Sequence, residues 1–197
     1  MKNKFLILLF IQILFCSILP AQPTEPDLPK INEERISMNS NGMLVLGGWA
    51  VTNLLTGAIG MAQSGGQTKY FHQMNVAWNS VNLAIAGFGY YGIRNQTIDL
   101  GLANTITEFH NFEKILLFNA GLDIGYMAIG ATLWERGIRK ENNRLIGYGK
   151  SMILQGGFLF TFDAVLYLLS RSKSSALIDT LNHIQFTGTS LSVNIPF

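Results

Sequence analysis

The stretch FHQMNVAWNSVNLAIAGFGYYG, residues 71–92, decides how this chain is read. It is strongly apolar, yet it carries His72, Asn75, Asn79 and Asn82, separated by 3, 4 and 3 residues. On a helix those separations put all four side chains on one narrow stripe, with Val76, Leu83, Ile85 and Phe88 largely elsewhere. An amide facing lipid would leave donors and acceptors unsatisfied, so the stripe predicts a helix whose polar face turns toward other helices.

The rest of the chain supplies those helices. Of its 197 residues 48% are apolar and only 13% charged, against roughly 25% charged in an ordinary soluble domain. From Ile36 to Thr68 there is no Asp, Glu, Lys, Arg or His. Within that window MLVLGGWAVTNLLTGAIGMA, 43–62, provides the roughly 20 apolar residues a helix needs to cross the hydrocarbon core. Further spans are expected at about 70–93, 115–134 and 151–170. The expected fold is all-α, a bundle of four transmembrane helices, and a soluble bundle is disfavoured because two spans lack the charged outer face it needs.

Ahead of the bundle, Lys2 and Lys4 precede FLILLFIQILFCSIL and the small residue Ala21, the pattern of a secretory signal peptide over 1–21. Phe15 is too bulky for the position before a lipidated Cys16. Cleavage after Ala21 would remove the single cysteine, excluding disulfides and thiolate metal sites. It would also leave twelve basic against twelve acidic residues, a balance that gives no support to nucleic-acid binding. Residues 22–41 read as a polar exported linker, 42–171 as the membrane domain and 172–197 as a tail. Within that tail an amphipathic helix at 174–186 is followed by a short extended segment.

Charges then set an orientation. Lys69, Arg136, Arg139, Lys140, Arg144 and Lys150 fall in or beside two connections, and the positive-inside rule puts those in the cytoplasm. The expectation is an inner-membrane protein with both ends outside. The outer membrane or periplasm is the alternative, since Leu191, Val193, Ile195 and Phe197 alternate like a barrel strand.

Each predicted span has a polar residue near one depth: Asn53, then Asn79 and Asn82, then Asp123, then Asp163. With Asn75 these form the candidate ligand or ion site. An Asp at the bilayer centre costs about 2.5–3.5 kcal/mol to insert, and no Lys or Arg lies well inside any span. The two carboxyls must therefore be protonated, share a proton or coordinate a cation. Gly48, Thr52, Thr56 and Gly60, and the Gly121–Gly125 pair, predict close helix packing around this layer. Thr105 and Glu108 have capping-box spacing and predict the start of the third helix. His110 and Glu113 make a weak metal pair. His72 and His110 fall at opposite ends, which rules out a shared heme. No phosphate loop, nucleophile elbow or HExxH is present, so no cofactor or catalytic residue is assigned.

NGMLVLGGWAVTNL followed by YFHQMNVAWNSVNLAIA resembles a family of small exported bacterial, Bacteroidota-like proteins known only as a domain of unknown function. The resemblance covers about 39–93, including His72, Gln73, Asn75, Trp78, Asn79 and Asn82, and implies only that this helical pair is a recurring unit. Two functions fit the sequence. In one the polar layer binds a cation, proton or small polar ligand. In the other the chain is a structural or assembly subunit with a dry polar core. The bilayer is the expected partner in both, with a second copy or a membrane complex in the structural case.

Overall fold

The structure, a computed structural model, describes residues 26–182, with side chains through residue 178. Asp27–Ala176 form one compact unit. The expected signal peptide and the extended terminal segment lie outside the described residues.

Four helices account for the architecture: α1 Leu28–Gln63, α2 Gly66–Arg94, α3 Leu102–Arg139 and α4 Asn143–Asn182. At the start of α1 the Asp27 carboxylate accepts from the Lys30 backbone N–H at 3.2 Å, and proline in the first turn suits a position with no intrahelical donor role. Residues 28–41 are therefore helical, where the sequence reads as linker. Lys30, Glu33 and Glu34 give the segment its surface-like composition and lie mostly in solvent. Asn32, Arg35, Ile36, Asn39 and Ser40 are buried beneath them. Burial continues at Leu46, Ala50, Asn53 and Gly57, the three-and-four rhythm of one helix face.

Only Ser64 and Gly65 separate α1 from α2, and Gly66 takes φ +54°, a conformation that favours glycine. The two helices return antiparallel and pack along each other. Asn75, Asn79, Asn82 and Ala86 form the buried face of α2. Those amides, with His72 and several glutamines, also dilute its hydropathy. Among the described residues three helices, not four, are apolar and long enough to cross a membrane: α1, α3 and α4 through Ile178.

The start of α3 also departs from expectation. Gly101 is its N-cap, and Thr105 sits inside the first turn, donating its hydroxyl to the Gly101 carbonyl at 3.2 Å and accepting from Asn32 Nδ2 at 2.8 Å. A threonine that binds the preceding turn and a neighbouring helix is unavailable as a cap.

The hub of the bundle is α4. It meets α1 where the Trp49 and Phe158 rings stack, centroids 3.8 Å apart, and where Leu166 covers Gly42. It meets α3 through glycines: a Cβ on Gly130 would stand 2.8 Å from the Gly149 carbonyl oxygen, and one on Gly156 would stand 3.0 Å from the Asp123 carbonyl oxygen. The glycines singled out from sequence lie elsewhere. Gly48, Gly121 and Gly125 face open space, and Thr52 and Thr56 are exposed with their hydroxyls bonded four residues back. Only Gly60, against the His72 ring, makes a close contact from that set. Spacing identifies a small-residue stripe but not which way it faces.

Among the described residues the buried polar side chains outnumber the buried apolar ones, sixteen to nine, while Leu55, Phe88, Phe118 and Leu168 lie more than half exposed. That distribution inverts a water-soluble protein and is compatible with an apolar surround.

Candidate functional site

The polar residues expected to form a single midplane layer separate into two groups with different chemistry. The first is a closed network. Gln155 on α4 accepts the Trp49 indole N–H at 2.9 Å, and its amide nitrogen donates to Asn75 Oδ1 at 3.1 Å and Asn53 Oδ1 at 3.4 Å. Ser151 donates to the same Asn75 oxygen at 2.5 Å. Asn53 and Asn79 each return their amide N–H to the carbonyl one turn back, of Trp49 and Asn75, at 2.9 Å. Satisfied in this way, Asn53 and Asn75 tie α1, α2 and α4 together through Gln155, while Asn79 bonds within α2, and the set leaves little for a ligand.

The second group lines a groove of about 680 Å³. Among the described residues α2 and α3 have no close backbone approach, and their main bridge is the Trp78 ring set edge-on to Tyr126, centroids 4.9 Å apart. The gap beside that bridge is walled mostly by apolar side chains, including Val81 and Ile85 from α2, Ile115 and Leu122 from α3 and Phe162 from α4. Asn82, Asn119, Asp123 and Asp163 supply its polar surface, and among the described residues no Lys, Arg or His lines it. Val81, Ile85, Ile115 and Leu122 are exposed, so the groove opens sideways between α2 and α3.

Asp123 and Asp163 approach each other from α3 and α4 within hydrogen-bonding reach. Asp123 is 3% exposed, and its Oδ2 is buried with no donor. The neighbouring Asp163 carboxyl can serve that oxygen only if a proton lies between them. Asn82 Nδ2 reaches Asn79 Oδ1 at 3.4 Å, a weak bond that joins the groove to the network.

A further polar cluster sits at the end holding the start of α1. Arg35, 1% exposed, donates through Nε to Asn32 Oδ1 at 3.2 Å and through Nη1 to Gln96 Oε1 at 2.9 Å, and lies 3.6 Å from Glu108. Burial pulls its guanidinium down from the ordinary value, opposed by the Glu108 charge. Nearby, Lys173 donates to Glu34 at 2.6 Å and holds that carboxylate below its usual range.

Glu113 belongs to this end. It is buried, accepts from Ser174 at 2.7 Å and Ser170 at 3.4 Å, and pairs with Arg171 at 3.7 Å. His110 takes no part in those bonds. Among the described residues no group of three or more His, Cys, Asp or Glu could hold a metal ion.

Hydropathy concealed Gln155, Ser151 and Glu113, because averaging a window dilutes one polar residue among many apolar ones. Their spacing does carry a signal. Ser151, Gln155, Asp163, Ser170 and Ser174 are all buried and fall close to one face of α4, the counterpart of the α2 stripe.

The chain belongs to DUF6992, a family of unknown function, whose family model matches residues 45–164. The match extends well past residue 93, where the resemblance read from sequence faded, and takes in Asp123 and Asp163. No curated protein and no solved structure matches the chain.

Proposed function

We propose that this member of a family with no assigned function is an integral membrane protein that binds a small amphipathic molecule in the groove between α2 and α3. The ligand's polar group meets Asp123, Asp163 and Asn82. Its apolar body lies against Val81, Ile85, Ile115 and Leu122.

The observation that carries this reading is Asp123, which lines a mostly apolar groove and whose Oδ2 is buried without a donor. Buried polar atoms are normally satisfied, and exceptions concentrate where a ligand or ion completes the set. A volume near 680 Å³, mostly apolar with a few convergent polar groups, also fits a small-molecule site.

The remaining polar residues favour a structural role. Asn53, Asn75, Asn79, Ser151 and Gln155 satisfy one another and fix the helices that form the groove. In this arrangement α2 crosses the bilayer alongside the three more apolar helices, its amides shielded by α1 and α4. The α1–α2 and α3–α4 turns carry the basic residues and face the cytoplasm, with both chain ends outside an inner membrane after signal cleavage. Lys150 over Trp134 and Arg144 over Tyr148, each 5.2 Å from the ring centroid, suit that interfacial end.

Lipids brominated at mid-chain test the groove directly. In nanodiscs of such lipid, the Trp78 contribution to fluorescence, taken as the difference between wild type and Trp78→Phe, should be strongly quenched, while aqueous iodide should leave it unchanged. Quenching by iodide and not by the lipid would overturn a groove open to hydrocarbon.

A further inference from the structure

The groove's wall chemistry goes beyond a generic amphiphile site. Two carboxyls stand side by side at its base and no basic side chain faces them from any of the four helices that line it. With one proton between them the pair still carries a negative charge. An uncompensated charge at this depth is expensive and favours any cation that can reach it.

The surroundings discriminate between kinds of cation. A hydrated metal ion would have to arrive through the apolar mouth formed by Val81, Ile85, Ile115 and Leu122, and then find six or more oxygen ligands. The groove offers at most four side-chain oxygen ligand groups, two carboxyls and two amides, and among the described residues no group of three His, Cys, Asp or Glu could hold a metal ion. An alkylammonium ion meets neither obstacle. Its chain matches the mouth and its N–H groups supply the donors that Asp123 Oδ2 lacks. Trp78, Tyr126 and Phe162 add aromatic faces, which attract such a cation once it is desolvated.

We infer that the occupant of the groove is a lipophilic amine, its ammonium group held between Asp123 and Asp163 and its hydrocarbon body lying between α2 and α3. The inference rests on the groove-binding reading above and adds the charge of the ligand. A fatty acid of the same length would be rejected, because its carboxylate would face two others. A neutral alcohol would keep the apolar contacts but lose the charge.

Three probes of equal chain length test this: dodecylamine, dodecanol and dodecanoate, each titrated into the full chain in phosphatidylcholine nanodiscs. Intrinsic fluorescence is the readout, and Trp78→Phe subtracts partitioning into the lipid. Dodecylamine should give a saturable Trp78 signal, at least about tenfold tighter than dodecanol, or one factor of ten in affinity. Dodecanoate should give none. Asp123→Asn with Asp163→Asn should bring the amine and the alcohol to equal affinity. Should that double variant fail to fold, Val81→Phe, a bulkier side chain at an exposed position on the mouth that adds no tryptophan, should abolish the saturable Trp78 signal from the amine while the helical content stays unchanged. Equal affinity of wild type for amine and alcohol would overturn the charge selection and leave the groove reading standing. No saturable signal from any probe would overturn both.

Discussion

Trp49 and Gln155 lie 106 positions apart and are joined by one hydrogen bond of 2.9 Å, indole N–H to amide oxygen, at the point where α1 meets α4. Because Gln155 also donates to Asn75 and Asn53, it is shared by three helices. Gln155→Leu leaves the Trp49 N–H and the Asn53 side-chain oxygen without these partners, and the Asn75 oxygen with Ser151 alone. The expected loss is about 1–2 kcal/mol, the upper part of the range for hydrogen bonds between membrane helices. Asn79→Leu, which removes one local bond and one weak one, should cost less. Unfolding of the two variants in mixed micelles ranks them, and equal losses would contradict the shared role of Gln155.

Glycine substitutions should divide according to where each glycine faces. Gly130→Ala pushes a methyl group to 2.8 Å from the Gly149 carbonyl oxygen and should cost about 1–3 kcal/mol through overpacking. Gly121→Ala and Gly125→Ala place theirs in open space and should stabilise α3 by up to about 1 kcal/mol through helix propensity. Thermal midpoints in detergent decide this. A loss at Gly121 or Gly125 as large as at Gly130 would mean that a second copy covers that face.

Which parts of this architecture were legible in the sequence follows from what each pattern encodes. The 72–75–79–82 stripe gives a helix and its polar face directly, because 3.6-residue periodicity depends on the residues themselves. The α1 segment 28–41 was not legible, since a buried Arg35 paired with Gln96 and Glu108 has the same composition as a solvated one. The division of one polar layer into a closed network and a groove depends on which helix sits beside which. Asn75 and Asn82 occupy the same α2 face, yet one meets α4 side chains and the other meets a gap.

The turn between α3 and α4 holds Glu141 at φ +51°, the left-handed region that costs a side chain about 1–2 kcal/mol. Glu141→Gly should therefore raise stability by about 1 kcal/mol, measured as an upward shift of the thermal midpoint. An unchanged or lower midpoint would show that the Glu141 side chain makes a compensating interaction.

The Glu34–Lys173 pair predicts an acid-dependent contribution. The Glu34 carboxyl is held below its ordinary value of 4.5, chiefly by the Lys173 hydrogen bond and charge. A depressed carboxyl contributes stability that is present above its unfolded value and lost as pH falls through the folded one. The midpoint difference between wild type and Lys173→Met should be positive near neutrality and shrink below about pH 4.5. A difference independent of pH would mean that Lys173 acts through packing alone. High salt should also reduce it, since the pair is exposed.

That the hub is the last of the four helices has a consequence for biosynthesis. While the ribosome is still making α4, the α4 partners of Asn53, Asn75 and Glu113 do not yet exist, and on the membrane reading proposed above the emerging helices would carry unsatisfied amides and a carboxylate into the insertion machinery. The polar interior closes only when Ser151, Gln155, Ser170 and Ser174 arrive together on one helix. On that reading, chains interrupted before α4 would present exposed polar faces to lipid, the kind of defect that membrane quality control is built to find.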